Sequence, residues 1–167
     1  MSHWKTGAAA LCVIAATPSF AADKEPCATD AICASKPQTL VEAMQAAGFR
    51  AKLGKDNQGD PKIDSAAGGY DFQIYFYDCE NSEKCGSVQF YLGFSAEDDN
   101  TAEYANKWNV LKRFATLSAN DKKELVLRYD LSTVGGLTKA NFTDAVEWWA
   151  TMLDGFNQFV KDEKKKQ

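Results

Sequence analysis

The chain has 167 residues, 45% of them hydrophobic and 12% aromatic, which matches one domain with a core of its own. Nineteen basic residues against 23 acidic ones leave a formal net charge of −4. Apart from a terminal KDEKKKQ the basic side chains are dispersed, which argues against nucleic-acid binding.

The first 21 residues have the layout of a secretory signal peptide: MSHWKTG with its lysine, the short apolar run AAALCVIAA, then TPSFAAD. Small side chains at Ser19 and Ala21 place cleavage after Ala21. The apolar run is about half of the ~20 residues a spanning helix needs, and no later segment is long and apolar enough. No integral membrane segment is therefore expected once the leader is removed. Its removal takes Lys5, moving the net charge from −4 to −5, and it takes Cys12 and His3. Four cysteines remain, Cys27, Cys33, Cys79 and Cys85, an even number in an exported chain, so disulfides and a periplasmic or secreted location are expected. No histidine remains. Ser-His-Asp and Cys-His catalysis and histidine metal triads go with it.

Residues 22–36 are poor in bulky apolar side chains and form an arm in which Cys27 and Cys33 bracket ATDAI, stapled onto itself or to the body. A domain over 37–162 and a charged tail, 163–167, follow. TLVEAMQAAGF predicts a first helix with Thr39 and Glu42 as a capping box, a stop at Gly48, and Leu40, Val41, Met44 and Ala47 on one face. Phe49, Ala51 and Leu53 alternate, GKDNQGDP is a turn-rich loop, and Lys62 to Ser65 is a short second strand. The clearest strands come next. In YDFQIYFYD, Phe72, Ile74 and Phe76 oppose Asp71, Gln73, Tyr75 and Tyr77; in SVQFYLGF, Val88, Phe90, Leu92 and Phe94 oppose Gln89 and Tyr91. Two such runs joined by a short loop make a hairpin. Cys79 and Cys85 then flank the loop as a staple. A zinc site or a redox pair is the rival use of the cysteines, disfavoured because the five-residue gaps exceed zinc spacing and CxxC is missing.

Asn100 with Glu103 predicts a cap for a second helix over Thr101 to about Phe114, with Tyr104, Ala105, Trp108, Leu111 and Phe114 at helical spacing. Thr116 to Ser118, the turn ANDK and ELVLRYDLS form a second hairpin. After Gly135 and Gly136, Thr138 caps a last helix striped by Phe142, Ala145, Val146, Trp149, Leu153, Phe156 and Val160. The expected order is α-β-β-β-β-α-β-β-α, an α+β fold with helices packed on one face of an antiparallel sheet.

No phosphate loop, dinucleotide fingerprint, nucleophile elbow or zincin motif is present, and no cofactor or metal is expected. DNQGD fails as a calcium loop, with Pro61 where an EF-hand needs Gly and Ala67 where it needs Glu. Tyr75, Tyr77 and Tyr91 fall on the sheet face away from the helices, which suits a protein partner or a homodimer. Trp148 lies at the edge of the helical stripe, as core margin or as a further contact residue.

The ordered series GGYDFQIYFYDC, SVQFYLGFS, KWNVLKRFA and DLSTVGGLTKANF, followed by a tryptophan-containing helix, resembles the YbjN-domain family of bacterial sensory transduction regulators. The resemblance runs from about Leu40 to Val160. It implies a fold like that of type III secretion chaperones, binding of protein partners or self-association, and no active site. Trp108, Asn109, Arg113 and Phe114 match the family's helix motif; they read as structural, with Asn109 and Arg113 a helical i, i+4 pair bracing Asp130 or the loops. The leader and the four cysteines depart from the cytoplasmic members. The favoured reading is a non-enzymatic exported protein-binding or regulatory domain. An apolar-ligand carrier and a hydrolase pairing Asp71 with Asp130 are the alternatives.

Overall fold

The computed structural model describes residues 27–166; the leader, the first residues of the arm and Gln167 lie outside them. Three helices and six strands follow the expected order. The strands, β1 (Arg50–Lys55), β2 (Pro61–Ala67), β3 (Tyr70–Tyr77), β4 (Ser87–Phe94), β5 (Thr116–Ala119) and β6 (Leu125–Ser132), form one antiparallel sheet in the order β1-β2-β3-β4-β6-β5. The helices are α1 (Pro37–Ala46), α2 (Ala102–Leu111) and α3 (Lys139–Lys164).

Alternation decides which sheet face is covered. Phe72, Ile74 and Phe76 of β3 and Val88, Phe90 and Leu92 of β4 are buried, and the α3 stripe lies against them. Trp149 is the hub, its ring centroid 5.7 Å from both Phe72 and Phe90. Each such side chain contributes about 1.5 to 3 kcal/mol by leaving water, so this face outweighs any single polar contact. Met152 and Phe159, outside the expected stripe, are buried as well, Phe159 against Tyr104 and Trp108 of α2.

Three expected helix boundaries shift, each for a local reason. Pro37 opens α1, since its missing N–H costs nothing in a first turn, and Thr39 forms no capping box with Glu42. Its hydroxyl donates to the Lys36 carbonyl (2.7 Å) and accepts from the Cys33 N–H (3.1 Å), tying arm to helix. Thr101, not Asn100, caps α2 by accepting from the Tyr104 N–H (3.1 Å). Asn100 is buried one residue earlier, donating to the carbonyls of Ser95 (3.1 Å) and Lys123 (2.8 Å) and so joining two loops. Finally, α2 ends at Leu111 rather than Phe114, and Phe114 turns out of the helical path at φ 69°. The second strand is longer than expected, Pro61–Ala67, because both neighbours pair with it along its length.

The arm is stapled onto itself by Cys27–Cys33 and also docks on the body. Ile32 bridges Leu137 in both directions (2.9 and 3.0 Å), and the Ala34 N–H donates to Thr133 Oγ1 (2.8 Å). Gly136, at φ 83°, lets the two segments approach: a Cβ there would stand 2.6 Å from Ala31 Cβ.

Candidate functional site

The β3–β4 loop is closed by Cys79–Cys85, and its residues Asp78, Asn81, Ser82 and Lys84 all adopt positive φ. A tight reversal of this kind holds poorly by itself, and the bond limits the states open to the unfolded loop. With the four described cysteines in disulfides, no thiolate set is left for zinc among the described residues. Among the described residues no three His, Cys, Asp or Glu side chains come together as a metal site. Asp56 of DNQGD turns its carboxylate onto its own loop, accepting from the N–H groups of Gln58 (2.8 Å) and Asp60 (3.0 Å).

On the open face Tyr75 and Tyr91 are half-buried and pack edge to face, centroids 5.4 Å apart, with the Arg128 guanidinium 5.9 Å from the Tyr91 ring. Tyr77 is exposed and donates to Gln89 Oε1 (3.4 Å); Gln89 Nε2 donates to Asp130 Oδ1 (2.7 Å). A concavity of about 420 Å³ lies between these rings and the β1–β2 loop, lined by Tyr75, Tyr77, Tyr91, Asp56, Asp60 and Asp78. Burial pushes the Tyr77 hydroxyl above the usual tyrosine range, against the pull of Arg128.

Asp71 and Asp130 share this face but no cleft. Register places Asp130 level with Tyr75, two strands away from β3 and four residues along from Asp71. Strand spacing and rise put them about 16 Å apart. Two cooperating glycosidase carboxylates stand ~5 to 9.5 Å apart. Asp71 pairs instead with Arg50 of β1 (2.5 Å), and the fold does not bring the two carboxylates together.

Of the motif residues Trp108, Asn109, Arg113 and Phe114, the first two hold the start of β5. Trp108 is fully buried and its indole N–H donates to the Ala115 carbonyl (2.8 Å). Asn109 binds Leu117 twice, its amide donating to the carbonyl and its oxygen accepting the N–H, both at 2.9 Å. It braces a strand, not Asp130, and with α2 ending at Leu111 it forms no helical pair with Arg113. Arg113 lies with its guanidinium 5.2 Å from the Phe114 ring. Phe114, expected on the buried stripe, is instead 42% exposed and stacks on Trp148 at 4.8 Å.

That displacement opens a site. The chain leaves the sheet at Phe114 and Ala115, so β5 pairs only with Leu125–Arg128 of β6, and no strand of the described residues pairs with Tyr129–Ser132 on that side. Beside the unpaired edge lies a groove of about 510 Å³ whose walls are Phe114, Tyr129, Leu131, Leu137 and Trp148. Asp144 is its one charged lining residue. Burial, and after it the nearby Asp144 carboxylate, pushes the Tyr129 hydroxyl up. Val110 and Leu111, 72% and 70% exposed, extend apolar surface just before Phe114 in the chain. Trp148, expected at the edge of the helical stripe, is half-buried and lines this groove. Local pattern does not mark Leu131, Leu137 and Asp144 as site residues, although one signal points here: the strand written TLS is far shorter than its partner ELVLRYDLS.

The described residues form a three-helix, six-strand α+β domain with an unpaired strand edge beside an aromatic groove. The family model described as "Putative bacterial sensory transduction regulator", YbjN, matches residues 36–161, and the chain belongs to that family. Among solved structures it is similar to YbjN from E. coli, described as a putative transcription regulator, at 16% identity and a TM-score of 0.50. That match covers 73% of this chain and 91% of the other, a likeness of fold. The comparison with curated proteins gives no match. No helix among the described residues is long and apolar enough to cross a membrane.

Proposed function

We propose that the chain is a non-enzymatic, exported, disulfide-stabilised regulatory domain that captures an extended segment of a protein partner at the β6 edge. The observation that carries this reading is the conjunction of an unpaired edge over Tyr129–Ser132 with the aromatic groove beside it. An incoming strand would satisfy the edge's main-chain groups, and an apolar side chain at alternate positions would enter between Phe114, Trp148 and Leu131. Asp144 selects a basic residue next to that apolar one. The disulfides and the leader support an oxidising compartment.

The test is site-specific photocrosslinking in the cell envelope from the exposed position Leu111, three residues before Phe114, and from Tyr75 on the open face. Capture from Leu111 that is lost with Trp148→Ser and reduced several-fold with Asp144→Asn supports the reading. Capture unchanged by both variants sinks it. The concavity between Tyr75, Tyr77 and Tyr91 favours a second reading, self-association or partner binding through the open face. In that case the Tyr75 crosslink dominates, and Tyr75→Ser with Tyr91→Ser removes it.

A further inference from the structure

A separate cavity lies at the other end of α3, enclosed by Tyr70, Phe94, Tyr104 and Phe156 with Leu125 and Val160. The rings brace one another: Phe94 packs on Phe156 at 4.9 Å and edge to face on Tyr70 at 5.7 Å. The Tyr70 hydroxyl is tied down by donating to Asn157 Oδ1 (2.7 Å). Behind Tyr104, Phe159 holds its ring at 5.1 Å. At about 210 Å³ the space is below the ~300 to 1,000 Å³ of pockets for drug-sized ligands, and so too small for a lipid chain.

Glu97, Asp99, Glu163 and Lys164 complete the lining as its charged residues. Glu163 already accepts from Lys107 (3.1 Å) and Lys166 (2.5 Å), while the Glu97 carboxylate enters no ion pair among the described residues. The Tyr104 hydroxyl registers the same field: burial raises it, and Glu163 and Glu97 add to the rise. Aromatic walls with an acidic rim are the chemistry that recognises an alkylammonium group, which ring faces attract and carboxylates retain.

We infer that this cavity binds a small organic cation of the alkylammonium class, held by Tyr70, Phe94 and Tyr104 and oriented by Glu97. The site is independent of the β6 groove, and either can fail without the other.

The test titrates the oxidised protein with choline and, separately, with 3,3-dimethylbutan-1-ol, which has the same shape without the charge. Amide shifts in a nitrogen-15 NMR spectrum locate the binding. Choline is expected to shift Phe94, Tyr104 and Val160 and to bind roughly tenfold more tightly than the alcohol. Glu97→Gln should weaken choline several-fold and Lys164→Gln should tighten it, with the alcohol indifferent to both; Tyr104→Leu should erase the preference for charge. Equal affinity for the two probes, shifts confined to other residues, or no shifts with choline at any concentration that leaves the protein folded would each overturn the assignment.

Discussion

Replacing Asn109 by Ala isolates the tie that fixes β5. The side chain serves both main-chain groups of Leu117, whose own residue is 1% exposed. Two net hydrogen bonds at about 0.5 to 1.5 kcal/mol each, with a residual cost for the groups left unpaired, give an expected loss of about 2 kcal/mol. For a domain of this size that is about 4 to 8 °C in Tm. Urea unfolding of the oxidised protein near neutral pH measures it. Asn109→Asp sharpens the test, because near neutral pH the introduced carboxylate still accepts from the Leu117 N–H but meets the Leu117 carbonyl as a second acceptor. Its folded-state pKa is therefore raised. The stability linked to its proton is complete below the unfolded value of about 3.9 and lost as pH rises through the folded one. The gap between Asn109→Asp and the parent protein should narrow on acidification, and that between Asn109→Ala and the parent should change less. A cost below about 0.5 kcal/mol for Asn109→Ala, or equal pH responses, would refute this account of β5.

Trp149 and Trp108, both fully buried, predict opposite outcomes. Trp149 has a buried indole N–H without a partner, so in Trp149→Phe the volume lost, roughly 1 kcal/mol, is offset by about as much from removing that donor. Trp108→Phe strands the Ala115 carbonyl and should cost about 2 to 3 kcal/mol, as thermal unfolding of the pair would show. Substituting Cys79 and Cys85 together by Ser should lower stability by roughly 2 to 2.5 kcal/mol on the chain-entropy relation for so short a ring, measured by urea unfolding against the intact protein. Gly136→Ala forces a Cβ into Ala31 at a left-handed backbone position and should loosen the arm; faster limited proteolysis between Cys27 and Pro37, with the sheet still protected, is the expected readout.

Much of the fold is written in local pattern. Phe72, Ile74 and Phe76 alternate, the α3 stripe recurs at helical spacing, and the paired cysteines flank short loops, so element type, order and buried face follow from nearest neighbours. Periodicity says which face is buried and is silent on what covers it. Helical spacing carried Phe114 onto the α2 stripe, yet the Trp108 indole and the Asn109 amide reach seven and eight residues ahead to hold Ala115 and Leu117, and the chain must leave the helix to meet them. The same partnership shortens β5, bares the edge of β6 and presents Phe114 to Trp148. Likewise nothing in local spacing joins Asp71 to Asp130 or parts them, and it is strand order and register that set them apart. Tertiary structure decided the groove and the aromatic cavity because both lie between elements, where the geometry depends on contacts that no single segment encodes.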